Sequence, residues 1–209
     1  MNEHFVRRSA DYYAEKLKAH GATHRGVDWN SVDSQSLRFR QLLKVAEDEP
    51  AVAVTDYGCG YGALVDYLTM GDRPYTYIGF DAAPTMVEAA RARHAGKPAV
   101  TFTDSRATLT TTPFTVASGV FYVKQDAPNE EWWEYVAGVL DDMASLSSKG
   151  FAFNLLTLYS DPPKRRADLF YADPGFVLDF CVRKYSRHVA VLHDYPLYEF
   201  TVLVRLDIF

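Results

Sequence analysis

Val54-Thr55-Asp56-Tyr57-Gly58-Cys59-Gly60-Tyr61-Gly62-Ala63-Leu64 is the stretch around which the rest of the chain is arranged. Ala51 to Thr55, where it begins, is an apolar, β-branched run that reads as a buried parallel strand. Downstream, Leu64-Val65-Asp66-Tyr67-Leu68 begins a helix, with apolar residues at helical spacing. Between strand and helix stand Gly58, Gly60 and Gly62. Glycine lets the backbone adopt positive φ and approach a ligand with no Cβ in the way. A strand, a glycine turn and a helix N-terminus are expected to offer unpaired N–H groups to a polar or anionic group. The stretch therefore reads as a loop for a nucleotide-type cofactor.

Moving outward, Tyr75-Thr76-Tyr77-Ile78-Gly79-Phe80-Asp81 is a second strand ending in an acid, and Asp81 lies 21 positions after Gly60. An acid at that distance suits the hydroxyls of a ribose. The glycines fit G-x-G-x-G and, with Ala63, the looser dinucleotide pattern. Two cofactors stay open on this evidence, a nicotinamide dinucleotide and S-adenosylmethionine.

Asp56-Tyr57-Gly58-Cys59-Gly60-Tyr61-Gly62 resembles motif I of the class I S-adenosylmethionine-dependent methyltransferases, with an acid two positions before the first glycine. Gly79-Phe80-Asp81-Ala82-Ala83-Pro84-Thr85-Met86 and the residues after it resemble the family's second motif. The resemblance is specific over residues 51–105. It implies a doubly wound, Rossmann-like α/β fold with a mostly parallel seven-stranded sheet and a C-terminal antiparallel hairpin.

The remaining pattern agrees. Strands at 51–56, 75–81, 99–103, 114–121 and 150–158 alternate with helices at 62–70, 84–95 and 129–147, as a parallel sheet covered on both faces requires. A helix at 175–184 leads to strands at 189–192 and 200–206. His193 to Glu199 is too short for a parallel crossover, so the last strand must run antiparallel. A dinucleotide domain would continue with parallel strands. The hairpin therefore favours the methyltransferase reading over an NAD-dependent oxidoreductase; a module that binds S-adenosylmethionine without catalysis is the other alternative.

Residues 1–48 stand outside this alternation. Helices are expected at 9–20, with Ser9 as N-cap and Gly21 as stop, and at 34–47. They are read as a helical lid over the sheet core of 51–209, within one domain spanning 1–209. A chain beginning near residue 49 is expected to fold without them.

Ligands of an open α/β sheet bind at the carboxyl ends of its strands. That rule and the resemblance assign cofactor contacts to Asp56, Gly58, Cys59, Gly60, Asp81, Ala82, Met86, Asp104, Ser105, Ser118 and Gly119. The resemblance gives Asp104 the adenine amino group, with a turn cap as its other reading. Arg38 is expected to meet the cofactor carboxylate, since a guanidinium fork matches two oxygens. His24 and Tyr122 are the expected catalytic groups should the acceptor need a base, with His193 and Tyr159 behind them. Trp29 suits an acceptor pocket, whereas Trp132-Trp133 reads as packing.

The fourth strand ends in Ala117-Ser118-Gly119-Val120, without the Asn/Asp-Pro-Pro-aromatic element of enzymes that methylate amino groups of adenine, cytosine or glutamine. The acids of the metal-dependent catechol-type enzymes are missing as well, so no metal is expected. A net charge of −5 speaks against a general nucleic-acid binder. Lys164-Arg165-Arg166 and Arg183-Lys184 read as solvated surface. The two cysteines, Cys59 and Cys181, have no metal or disulfide spacing. With no basic-then-apolar leader and no membrane-length apolar run, the expectation is a cytoplasmic protein acting on a small molecule by O-, N- or C-methylation.

Overall fold

The computed structural model describes residues 3–29 and 31–206. Helices α1 (Glu3–His20) and α2 (Val32–Leu42) come first, separated by a 3₁₀ turn at His24–Val27. Helix α1 starts well before Ser9, which lies inside it. It ends as expected at Gly21, whose φ of 67° and N–H bond to Leu17 O (2.7 Å) form a left-handed C-terminal cap. Ser31 caps α2 by accepting from Ser34 N at 3.1 Å, and residues Leu43–Ala46 tighten into a second 3₁₀ turn.

The alternating part follows as β1 (Val52–Tyr57), α3 (Ala63–Thr69), β2 (Tyr75–Phe80), α4 (Pro84–Arg93), β3 (Val100–Thr103), β4 (Thr112–Ala117), α5 (Asn129–Ser145) and β5 (Ser147–Thr157). Then come β6 (Tyr171–Ala172), α6 (Pro174–Lys184), β7 (Val189–Leu192) and β8 (Glu199–Arg205). The sheet order is β3-β2-β1-β4-β5-β8-β7. Strands β1 to β5 pair in parallel, and β8 is antiparallel to both β5 and β7. This is the expected hairpin. The sheet gains one strand over the seven expected, because β6 pairs Tyr171 and Ala172 with the end of β5 at Leu156 and Thr157.

Side-chain alternation divides the core between two faces. Phe151, Phe153 and Leu155 of β5, with Phe200, Val202 and Val204 of β8, pack with Trp132, Val136 and Leu140 of α5 and Val177 of α6. Ala152 and Leu203, pointing the other way, pack with Val52, Val54, Leu64 and Val87. Phe39, Leu42, Leu43, Val45 and Ala46 belong to this second cluster. Helix α2 and its 3₁₀ extension therefore cover a face of the sheet, whereas the sequence reading had placed them in the lid. Helix α1 buries Phe5 alone, against Trp132 and Tyr135 of α5 (ring centroids 5.4 and 6.0 Å apart). No helix among the described residues is long and apolar enough to cross a membrane.

Candidate active site

A cavity of about 720 Å³ opens at the carboxyl ends of β1, β2, β3 and β4, a size typical of small-molecule sites. Its floor is the glycine loop. Gly58 and Gly60 hold φ values of 81° and 54°, and a Cβ at Gly58 would meet Val120 Cγ2 at 2.4 Å. The loop donates less than the sequence suggested. Gly58 N and Cys59 N both bond Phe80 O (2.7 and 2.9 Å), Gly60 N bonds Asp81, and Gly62 N bonds Cys59 O. These N–H groups fix the loop to β2, so glycine here supplies close approach rather than free donors.

Asp81 is held from two sides. Its Oδ2 accepts from Gly60 N at 2.8 Å and its Oδ1 from Ala83 N at 2.9 Å. Each oxygen keeps a second lone pair for a ligand. Burial pushes its pKa up, and the two N–H bonds pull against that. Asp56 lies deeper, its Oδ2 accepting from Tyr77 OH at 2.7 Å; burial pushes its carboxyl up to about 7. Burial likewise pushes the Cys59 thiol well up, leaving an inert small side chain in the turn.

Of the expected cofactor residues, Asp56, Gly58, Cys59, Gly60, Asp81, Ala82, Met86, Asp104, Ser118 and Gly119 all line the cavity. Ser105 does not; it opens the 3₁₀ turn Arg106–Thr108, its N–H bonded to Thr103 Oγ1. Arg106 takes the place beside Asp104 and is ion-paired to Asp142 of α5. The Ser118 hydroxyl has no hydrogen-bond partner, and neither does the amide nitrogen of the neighbouring Asn154, whose Oδ1 accepts from Gly119 N at 2.7 Å.

Three expectations fail on geometry. Arg38 is buried away from the cavity, its Nε and Nη2 at 2.7 and 2.6 Å from Glu199 Oε2, so it has no free fork for a cofactor carboxylate. Tyr122 donates to the same oxygen at 2.9 Å, and burial beside that carboxylate pushes its hydroxyl far above the ordinary range. Burial also pushes the Glu199 carboxyl up, with Arg38 opposing. His24 sits on the 3₁₀ turn outside the cavity lining; its carbonyl accepts from Trp29 N at 2.8 Å. His193 and Tyr159 stand together on the exposed surface outside the cavity lining, ring centroids 6.0 Å apart. No histidine among the described residues lines the cavity.

The sequence reading missed the aromatic wall. Tyr13 of α1 points its hydroxyl toward Gly119 O at 3.4 Å, and Tyr135 of α5 lines the opposite side. The spacing of Tyr12, Tyr13 and Leu17 puts them to one side of a helix and does not show what that side covers. Trp29 lines the cavity as expected, and Trp132 is core, its Nε1 donating to Phe121 O at 2.9 Å.

The family described as "Methyltransferase domain" matches residues 54–148. The Mycobacterium tuberculosis (strain ATCC 25618 / H37Rv) protein named "Putative methyltransferase Rv1506c" is 42% identical over 163 residues, covering 78% of this chain and 98% of that protein. The chain belongs to the class I methyltransferases. Solved structures agree on the methyltransferase fold. The N-methyltransferase NodS from Bradyrhizobium japonicum WM9, in complex with S-adenosyl-L-homocysteine, has a TM-score of 0.68 at 14% identity, covering 95% of this chain and 98% of that one. The DhpI–SAH complex has a TM-score of 0.64 at 14% identity, covering 99% of each chain. Magnesium protoporphyrin IX methyltransferase from Synechocystis PCC 6803 with bound SAH has 0.59 at 15%, covering 97% of this chain and 88% of that one. Among the described residues of this methyltransferase, no group of three or more His, Cys, Asp or Glu side chains is arranged to hold a metal ion.

Proposed function

We propose that this methyltransferase moves a methyl group from S-adenosylmethionine to an O, N or C atom of a small molecule bound in the same cavity. The observation that carries the reading is the order of cavity residues along the sheet. Asp104 stands at the end of β3, Asp81 at the end of β2, Gly58 at the end of β1, and Ser118 with Gly119 at the end of β4. An adenine over β3, a ribose over β2 and a methionine tail over β1 and β4 follow that order. Asp81, with two lone pairs left, accepts the ribose hydroxyls. The Ser118 hydroxyl, without a protein partner, is available to a polar atom at the methionine end. Gly58 and Gly60 let Val120 and Val27 close in on the loop, since a Cβ would fall 2.4 Å from Val120 Cγ2 and 3.0 Å from Val27 Cγ1.

The cofactor supplies a sulfonium-bound methyl that is displaced in line by a lone pair of the acceptor. The protein's part is orientation and exclusion of water. Helix α1 lies over the opening, contributing Val6, Ala10 and Tyr13 to the lining. Isothermal calorimetry tests the cofactor assignment: micromolar affinity for S-adenosylhomocysteine and none for NAD are expected, and the reverse would refute it. Mass analysis of ligand carried through purification is an independent check.

A further inference from the structure

A buried charged cluster lies behind one wall of the cavity and touches it through Trp29. Glu199, fully buried at the start of β8, receives Arg38 Nε and Nη2 and the Tyr122 hydroxyl on one oxygen; Tyr195 OH stands 3.4 Å from the other. The Arg38 guanidinium lies over the Trp29 ring at 4.0 Å from its centroid, and Tyr122 meets the ring edge-on at 5.6 Å and 83°. The far edge of the indole seats on Gly119, which has φ 72°; a Cβ there would fall 2.3 Å from Cη2 and 2.4 Å from Cζ2. Arg38, Glu199, Tyr122 and Tyr195 are absent from the cavity lining, and Trp29 is in it.

A buried ion pair adds little stability over apolar packing of the same volume, and often none. What this one does provide is a fixed plane. A guanidinium held by two donors on one carboxylate oxygen cannot swing, and the attraction between its charge and the indole face holds the ring against it. Glu199 is itself fixed by pairing with Leu156 of β5. The ring is therefore referenced to the sheet through Arg38 and Glu199.

We propose that Trp29 is the specificity wall at the methyl end of the cavity: its ring limits the group on the cofactor sulfur to about methyl size, and the Arg38–Glu199 pair positions the ring. This rests on the cofactor placement argued above, which puts the sulfur over β1 and β4 beside Gly119.

The test is calorimetry with S-adenosylhomocysteine and with S-adenosyl sulfonium analogues bearing methyl, allyl and benzyl groups. The proteins are the parent, Trp29→Phe, Trp29→Ala, and Arg38→Met combined with Glu199→Gln, since losing one charge would leave the other buried and unpaired. The double variant, whose residues lie outside the cavity lining, is expected to bind S-adenosylhomocysteine within about threefold of the parent, and for every protein the readout is the ratio of its benzyl to its methyl analogue affinity. The parent should bind the benzyl analogue at least about 100-fold more weakly than the methyl one, a gap in the range that pocket shape can impose. That gap should close to about threefold in Trp29→Ala, with Trp29→Phe and the double variant in between. A merely structural role would lower the melting temperature and leave the ratio unchanged. An equal ratio in parent and Trp29→Ala would overturn the wall. A changed ratio in Trp29→Ala with a parental ratio in the double variant would overturn the positioning role of the pair. If the parent bound no S-adenosylhomocysteine, the cofactor placement itself would fall.

Discussion

Helices α1 and α2 are neighbours in sequence and differ in what holds them. Eleven residues of α2 include Gln35, Arg38, Phe39, Gln41 and Leu42 as buried positions, and its 3₁₀ extension adds Leu43, Val45 and Ala46. Eighteen residues of α1 bury Phe5 only. Val6 packs half-buried against the same core cluster, and the helix's other ties are polar and partly exposed: Arg8 to Gln125 and Asp126, Lys16 and Tyr12 to Asp28 at 2.8 and 2.7 Å. Exposed pairs of this kind are screened by water and contribute little to stability. One helix is thus core and the other is cover. A segment that opens to admit ligand has to come from the weakly held part of a fold, and α1 meets that condition.

The largest effect expected is from truncation. A chain starting at residue 49 loses five buried apolar side chains of the second core cluster, each worth about 2–5 kcal/mol for the larger ones, against a total stability of about 5–15 kcal/mol. It should give no cooperative thermal transition. A chain starting at residue 22 should still melt cooperatively, while methyl transfer is lost. Cooperative unfolding of the shorter chain would erase the distinction between the helices.

Single substitutions sharpen it. Leu42→Ala is expected to lower global stability by about 2–5 kcal/mol in denaturant titration. Phe5→Ala removes a larger side chain, yet its cost is capped by the release of α1. Hydrogen exchange should show faster exchange in residues 3–20 with the exchange of β4 and β5 unchanged.

Ligand binding should discriminate between the helices again. Saturation with S-adenosylhomocysteine at about 100 times its Kd adds about 2.7 kcal/mol and should slow amide exchange in α1 far more than in α2. Asp81→Ala removes the carboxylate proposed for the ribose and should weaken binding at least about tenfold, because one charge-assisted bond of about 1.5–3 kcal/mol exceeds the 1.4 kcal/mol of a decade. Circular dichroism of the variant should match the parent. Equal affinities would remove Asp81 from the site.

The effects of pH come last, and they have opposite signs. Burial lifts Asp28, yet Lys16 and Tyr12 outweigh it and hold the carboxyl below its ordinary value of 3.8. The clasp on α1 therefore contributes above that value and is lost as pH falls through the lower folded one. Asp56 under the glycine loop is the reverse case. Its folded value of about 7 lies above 3.8, so its contribution is complete below about pH 4 and fades as pH rises through 7. Acid should loosen residues 3–20 first, seen by exchange, whereas Asp56→Asn should flatten the decline of melting temperature between pH 4 and 7. An unchanged decline in that variant would count against Asp56 as its source.

Much of this was legible in the chain itself, because it depends on local chemistry. Glycines at 58 and 60 meet a backbone need that falls within five residues, and Asp81 ends its strand at a spacing one β-α-β unit imposes. Six residues between β7 and β8 cannot cross over, so the hairpin followed from chain length alone. What tertiary structure decided was the choice of partner. Arg38 finds Glu199 161 residues away, and the pairing turns an expected cofactor ligand into a buried support. Tyr122 joins the same carboxylate and loses any use as a base. The N–H groups of Gly58, Cys59 and Gly60 are taken by Phe80 at the end of β2 and by Asp81 just after it. Periodicity shows that a helix has an apolar face; it does not show what the face meets. That is why α1 and α2 read alike as sequence and differ as structure: α2 rests on the sheet and reaches the cavity at Gln35 and Phe39, whereas α1 lies along the cavity.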